Sequence, residues 1–330
     1  MRILVKGAGV AGLATAHELA ARGAHVTVIE KSASVGGGAS WLAGGMLAPY
    51  CERESAEEDV VRLGRDAARW WEEVLPGTVS FNGTLVVAPP RDAAELRRFA
   101  ARTEGHALLS PEEIEALEPD LAGRFRSGLF FASEAHLDPR KALKRLHAKL
   151  DSLGVRFFFG STEASQTFDH VVDCTGFAAA EALCELRGVR GEMLYLETRE
   201  VTLSRPVRLI HPRFPVYVVP RGDGRFMVGA TMVESADDGP VTVRSMMELL
   251  NAAYAVHPAF GEARVLEAAV GIRPAFPDNL PKIEPRGATF FLNGFHRHGF
   301  LLAPALARQA AELIISNEAG NEAHRERASA

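Results

Sequence analysis

The chain has 330 residues, 47% hydrophobic and 24% charged, a balance that suits a soluble globular enzyme of about two domains. Its formal net charge is −5 with both signs interspersed, so no electrostatic case exists for nucleic acid or an anionic membrane as partner. Cys51, Cys174 and Cys184 are an odd set without a CxxC pair, which predicts reduced thiols in a cytoplasmic protein rather than a disulfide frame.

The N-terminal stretch RILVKGAGVAGLATAHELAARGAHVTVIEK reads as a complete βαβ unit. Its apolar run, Ile3 to Val5, leads directly into glycines, unlike a signal peptide. Gly7-x-Gly9-x-x-Gly12 supplies a sharp turn, a close backbone approach to a pyrophosphate and a tight helix–strand contact. The following helix offers its free N–H groups and positive dipole end to the phosphates. Leu13, Ala16 and Leu19 form its inner face, Gly23 ends it, and Val26, Val28 and Ile29 carry the chain to Glu30, 18 residues after Gly12. An acid there accepts hydrogen bonds from a ribose hydroxyl and repels a 2′-phosphate. Residues 34–49, SVGGGASWLAGGMLAP, hold five glycines with Trp41, Leu42, Met46 and Leu47. They are too apolar for a linker and read as a loop wrapped along an extended cofactor.

Further on, Ser55 with Glu58 is a candidate capping box for a helix burying Val61, Ala68 and Trp71. NGTLVVAPP reads as a strand after a tight turn, and Ser110-Pro111-Glu112-Glu113 as a helix start. Asp138, Pro139 and Gly154 bound another helix. VRFFF and HVVDCTG read as buried strands, the second ending in a small-residue turn at Thr175-Gly176, where α/β sheets bind ligands. Residues 189–233 are β-rich, with a hairpin at Gly-Asp-Gly 222–224, and a helix covers Val243 to Val256. TFFLNG then returns to α/β style before NGFHRHGFLLAP, Asn293 to Pro304. The apolar run near Leu301 to Ile315 is broken by Pro304, Arg308, Gln309 and Glu312, which argues against a membrane span. The final residues, NEAGNEAHRERASA, read as a frayed tail.

Together these pieces predict an α/β fold: a discontinuous Rossmann-like cofactor domain (1–77, 136–188 and 266–330) with an inserted, mostly antiparallel β-sheet substrate domain (78–135 and 189–265). They resemble the D-amino-acid oxidase family of FAD enzymes, and within it the glycine oxidases of thiamine biosynthesis. The likeness covers nearly the whole chain. It rests on Gly7-x-Gly9-x-x-Gly12 with Glu30, ASWLAGGML at 39–47, VDCTG at 172–176, RGEM at 190–193, YVVPRGDGRFMVGATM at 217–232, GIRPAFPDNLPKI at 271–283 and the last loop.

That resemblance implies non-covalent FAD, with cofactor contacts at Gly7, Gly9, Val10, Ala11, Gly12, Glu30, Lys31, Ser40, Gly44, Gly45 and Met46. Thr175 and Gly176 join them by their place after the strand, and the final loop adds Phe295, His296, Arg297, His298, Gly299, Phe300 and Leu301. It implies that Arg273 and Arg297 bind a substrate carboxylate and that Tyr217 and Met232 line the pocket. Guanidinium matches a carboxylate bidentately, and a helix starting near Gly299 suits the negative charge of reduced flavin. The loop departs from the family in reading His298 between Arg297 and Gly299. Only 17 residues separate Val155 from Asp173, so no adenine-side contact is assigned there. His296 and His298 alone make a weak metal site, and none is expected. The implied reaction takes a small amino acid and O2 to glyoxylate, ammonia and hydrogen peroxide, with no general acid or base assigned. A homotetramer and a hand-off to thiazole synthase go with it. Alternatives are a D-amino-acid or sarcosine oxidase or dehydrogenase of the same family. An NAD-dependent dehydrogenase leaves residues 36–47 and the last loop idle. A flavin-carrying subunit without activity leaves Arg273 and Arg297 unexplained.

Overall fold

The computed structural model describes residues 1–210 and 216–328. Strand Arg2–Lys6, helix Val10–Ala21 and strand His25–Glu30 form the predicted βαβ unit, with Ile3 paired to Val26 and Val5 to Val28. His170–Asp173 and then Thr289–Asn293 extend the sheet in parallel. Lys282–Arg286 closes one edge antiparallel, and Arg156–Phe159 forms the other. Apolar residues recur along these strands because both sheet faces are covered. Ile3, Val5, Leu13, Ala16, Leu19 and Val28 share one core with Leu302, Leu306, Ala307 and Ile314 of the last helix, Gly299–Ala328. Gly299–Ser316 is apolar and long enough to cross a bilayer, but here much of it is buried in this core.

The second layer is a nine-stranded sheet around Arg187–Glu197. That strand pairs antiparallel with Arg225–Gly229 on one side and Arg264–Ala275 on the other. Strand alternation separates its side chains. Leu194 and Leu196 face Leu249, Ala252 and Val256 of helix Val243–Val256. Met193 and Tyr195 face the opposite way, with Tyr217 and Met227. Arg140, on helix Pro139–Ser152, joins the two layers through a bidentate pair at 2.8 Å to each carboxylate oxygen of Glu267.

Several expectations are corrected. Strand Arg264–Ala275 pairs along its length with Arg187–Glu197, so residues 266–275 belong to the substrate-side sheet. The Ser55–Glu58 box does not form. Two helices, Glu58–Gly64 and Ala67–Val74, replace one, and the first begins after Glu57. Val60 and Trp71 are buried, while Val61 and Ala68 are only half-buried. Arg156–Phe159 is an edge strand with Phe158 exposed; Phe157 and Phe159 stack beside His147. The chain expected to fray is helical to Ala328, and the last two residues lie outside the described part.

Candidate active site

Between the two sheets lies a cavity of about 1170 Å³, above the roughly 300–1,000 Å³ of pockets for drug-sized ligands. Every sequence-predicted site residue except Gly12 lines it. Gly7, at φ +97°, turns the chain where a Cβ would lie 2.7 Å from the Cys174 carbonyl oxygen. A Cβ on Gly12 would lie 1.9 Å from the Gly7 carbonyl oxygen, so that glycine seats the helix on the turn. The helix N-terminus has no side-chain cap and no acid in its first turn; the Val10 amide donates to Ser40 Oγ at 3.1 Å. Such an end fits phosphate oxygens.

Glu30 is fixed at its side, its two oxygens accepting from the Ala8 amide (2.7 Å) and the Ser32 amide (2.9 Å). Lys31 adjoins it. Gly44, Gly45 and Met46 bring the glycine-rich loop along the cleft, held by Arg221 Nη2 donating to the Gly44 carbonyl at 2.8 Å. Thr175 and Gly176 close the far wall, the Thr175 hydroxyl donating to Asp173 at 2.6 Å. Phe295 to Leu301 forms the floor, ending in the first turn of the last helix, which carries no acid. The donors and glycine cradles therefore fit an extended dinucleotide.

At the other end, the two predicted arginines differ. Arg273 donates to the Thr231 carbonyl at 3.0 Å and makes no ion pair among the described residues. Its guanidinium lies over Gly191, where a Cβ would come within 2.2 Å of Nη2. Burial first, then the Arg297 charge, lowers its pKa to about 10, with Glu52 opposing; it remains a cation at neutral pH. Arg297 was expected to be free for a carboxylate, but its Nη2 sits 2.7 Å from Glu52 Oε2 and donates to Ser55 Oγ at 2.6 Å. Its Nη1 lies 3.9 Å from Met232 Sδ.

Tyr217 lines the cleft, but its hydroxyl donates to Glu52 and accepts from Arg208 Nη1 at 3.1 Å. It is thus committed to this cluster rather than free for substrate. Glu52 is a buried carboxylate. Burial pushes its pKa up, but Arg297, His298, Arg208 and the Tyr217 hydroxyl outweigh that and bring it to about 2. The stability it supplies is therefore present above the ordinary 4.5 and lost as pH falls toward 2.

The last loop's positive charge is concentrated in Arg297. Burial drives His298 down to about 3, partly opposed by Glu52, and drives His296 to about 2 with help from its cationic neighbours. Both imidazoles are neutral at working pH. We expect their side-chain NMR signals, assigned with His296→Gln and His298→Gln, to stay constant from pH 8 to 5. A transition near 6.5 at either would contradict this site.

Sequence reasoning missed Glu52, Ser161 and Thr162. The latter two line the cleft beyond Glu30, just after strand Arg156–Phe159, and the Ser161 amide donates to the Glu30 carbonyl at 3.0 Å. A small-residue turn at the end of a parallel strand was the available signal. Glu52, three residues past Pro49 on a one-turn helix, carried none.

A mostly parallel sheet, a glycine-lined cleft and a helix N-terminus opening into it are the features of a dinucleotide-dependent oxidoreductase. The chain belongs to the family described as DAO, FAD dependent oxidoreductase, which matches residues 2–313; its cofactor is FAD. A protein of Rhizobium etli named as a thiamine biosynthesis oxidoreductase, ThiO, is 60% identical over 319 residues, spanning 96% of this chain and 98% of that one. The glycine oxidase of Pseudomonas aeruginosa is 27% identical over 96% of this chain and 95% of its own. The crystal structure of glycine oxidase from Geobacillus kaustophilus superposes with a TM-score of 0.80 at 24% identity, covering 96% of this chain and 95% of that chain.

Proposed function

We propose that the protein oxidises glycine and similarly small amino acids, releasing an imine that water hydrolyses to glyoxylate and ammonia. One observation carries this reading: Arg273 lines the cofactor cleft as a guanidinium without an anionic partner among the described residues. A half-buried cation in that state is satisfied by a carboxylate. Val10, Ala11 and the glycine turn would hold the FAD pyrophosphate, Glu30 a ribose, and the first turn of the last helix the negative end of the ring. FAD supplies hydride acceptance from the substrate Cα and two-electron transfer to O2, giving hydrogen peroxide. Arg273 orients the substrate by its carboxylate, and the buried faces of Met193, Tyr217 and Met227 exclude water. No side chain is assigned as general acid or base.

The reading extends to non-covalent FAD and to a cytoplasmic homotetramer that hands its product to a thiazole synthase. The name of the Rhizobium etli relative supports a place in thiamine biosynthesis. The purified protein is expected to be yellow and to release its flavin on heating or in acid. Anaerobic glycine is expected to bleach it. A folded, colourless preparation that FAD does not stabilise overturns the reading, and bleaching by bulky D-amino acids alone reassigns the substrate.

A further inference from the structure

Among the described residues, two guanidinium groups line the substrate end of the cleft, and one of them, Arg273, lacks an anionic partner. Arg297, by contrast, is held at 2.7 Å by Glu52. Glu52 cannot easily swing away. Its other oxygen accepts from the Tyr217 hydroxyl, and Arg208 stands 3.9 Å from it. The one-turn helix Pro49–Glu52 is itself tied down. The Cys51 amide donates to Glu134 at 2.6 Å, and the Cys51 carbonyl accepts from Arg208 Nη1 at 2.9 Å. Arg208 is in turn paired with Glu54 at 3.1 Å, so it adds no free charge. With His296 and His298 neutral, the two cations Arg273 and Arg297 less the one anion Glu52 leave, among the described residues, a net charge of one positive.

We infer that Glu52 is the residue that determines substrate charge: by occupying Arg297 it leaves one guanidinium for one carboxylate and turns away substrates that carry a second. This rests on the amino-acid oxidase reading and names the selectivity of that site. A second carboxylate reaching past Arg273 meets an arginine already bonded and a carboxylate of its own sign. Like charges a few ångströms apart in a partly desolvated site repel strongly. A glycine-sized monocarboxylate meets neither obstacle.

Acetate and malonate, titrated into the FAD-loaded enzyme and followed by the flavin absorbance, separate the possibilities without turnover. Glu52→Gln is expected to shift the malonate-to-acetate affinity ratio toward malonate by about tenfold or more, since Arg297 is released. Adding Arg297→Gln is expected to return the ratio to within about threefold of the parent. Should Glu52→Gln fail to fold, the remaining pair still decides. Arg297→Gln leaves Glu52 unneutralised and is expected to weaken acetate about tenfold, and the double variant to restore it. A wild-type holoenzyme that binds neither probe and leaves glycine unoxidised overturns the activity reading and this inference together. Probe binding with an unchanged ratio in every variant overturns the inference alone.

Discussion

Arg273→Leu is expected to raise the apparent KM for glycine by about 10²-fold or more, a loss of about 3 kcal/mol for one charge-assisted pair. The size follows from the cleft's own arrangement. Arg297 cannot take over, because its Nη2 is bonded to Glu52 and Ser55. The Tyr217 hydroxyl is likewise engaged. Flavin content is expected to stay unchanged, since the phosphate-facing turn and Glu30 lie at the other end of the cleft. Removing Arg273 also orphans no carboxylate, so a urea midpoint close to the parent's is expected, which separates loss of binding from loss of fold. Gly191→Ala offers an independent probe. Its methyl would lie 2.2 Å from Arg273 Nη2, so the guanidinium has to move, and KM is expected to rise in the same direction. An unchanged KM in Arg273→Leu places the carboxylate elsewhere.

The cofactor half of this site was legible because its chemistry is local. Gly7, Gly9 and Gly12 act within one turn, and Glu30 ends the next strand, so spacing along the chain carries their geometry. The same holds for the helix starts at Ser110 and Asp138, where the structure forms a capping box and a side-chain cap. Segments whose state depends on distant partners were harder. VRFFF has the composition of a buried strand, but it has a neighbour on one side only and leaves Phe158 in solvent. Ser55 looked like a cap, but Arg297, 242 residues away, claims its hydroxyl. Glu52 was invisible for the same reason: Arg297, Tyr217 and Arg208 come from three separate stretches of the chain. Arg297 illustrates the limit. Its place in the cleft could be read from the sequence, whereas its charge partner could not.

Glu192→Leu is expected to destabilise the protein by about 3 kcal/mol, near the lower end of the cost of breaking a buried ion pair. The RGEM motif divides by strand alternation: Gly191 and Met193 face the cleft, and Arg190 and Glu192 lie on the other face. Glu192 is fully buried and accepts from Arg190 Nη2 at 2.8 Å, the Thr231 hydroxyl at 3.1 Å and the Thr242 amide at 3.0 Å. Leucine leaves the Thr231 hydroxyl and the Thr242 amide without this acceptor and takes one carboxylate from Arg190, whose Nη2 keeps the Pro240 carbonyl at 2.5 Å. Arg190 retains Asp237 at 3.0 Å, which moderates the loss. Since the Thr231 carbonyl also receives Arg273 Nη1, a shift of residue 231 is expected to raise the glycine KM as well. Arg190→Leu/Glu192→Leu removes the cation that has lost its buried partner and is expected to recover part of the stability, measured as a urea midpoint at unchanged m. If both variants unfold within about 0.5 kcal/mol of the parent, the pair does not fix this strand, and the seating of Arg273 does not depend on it.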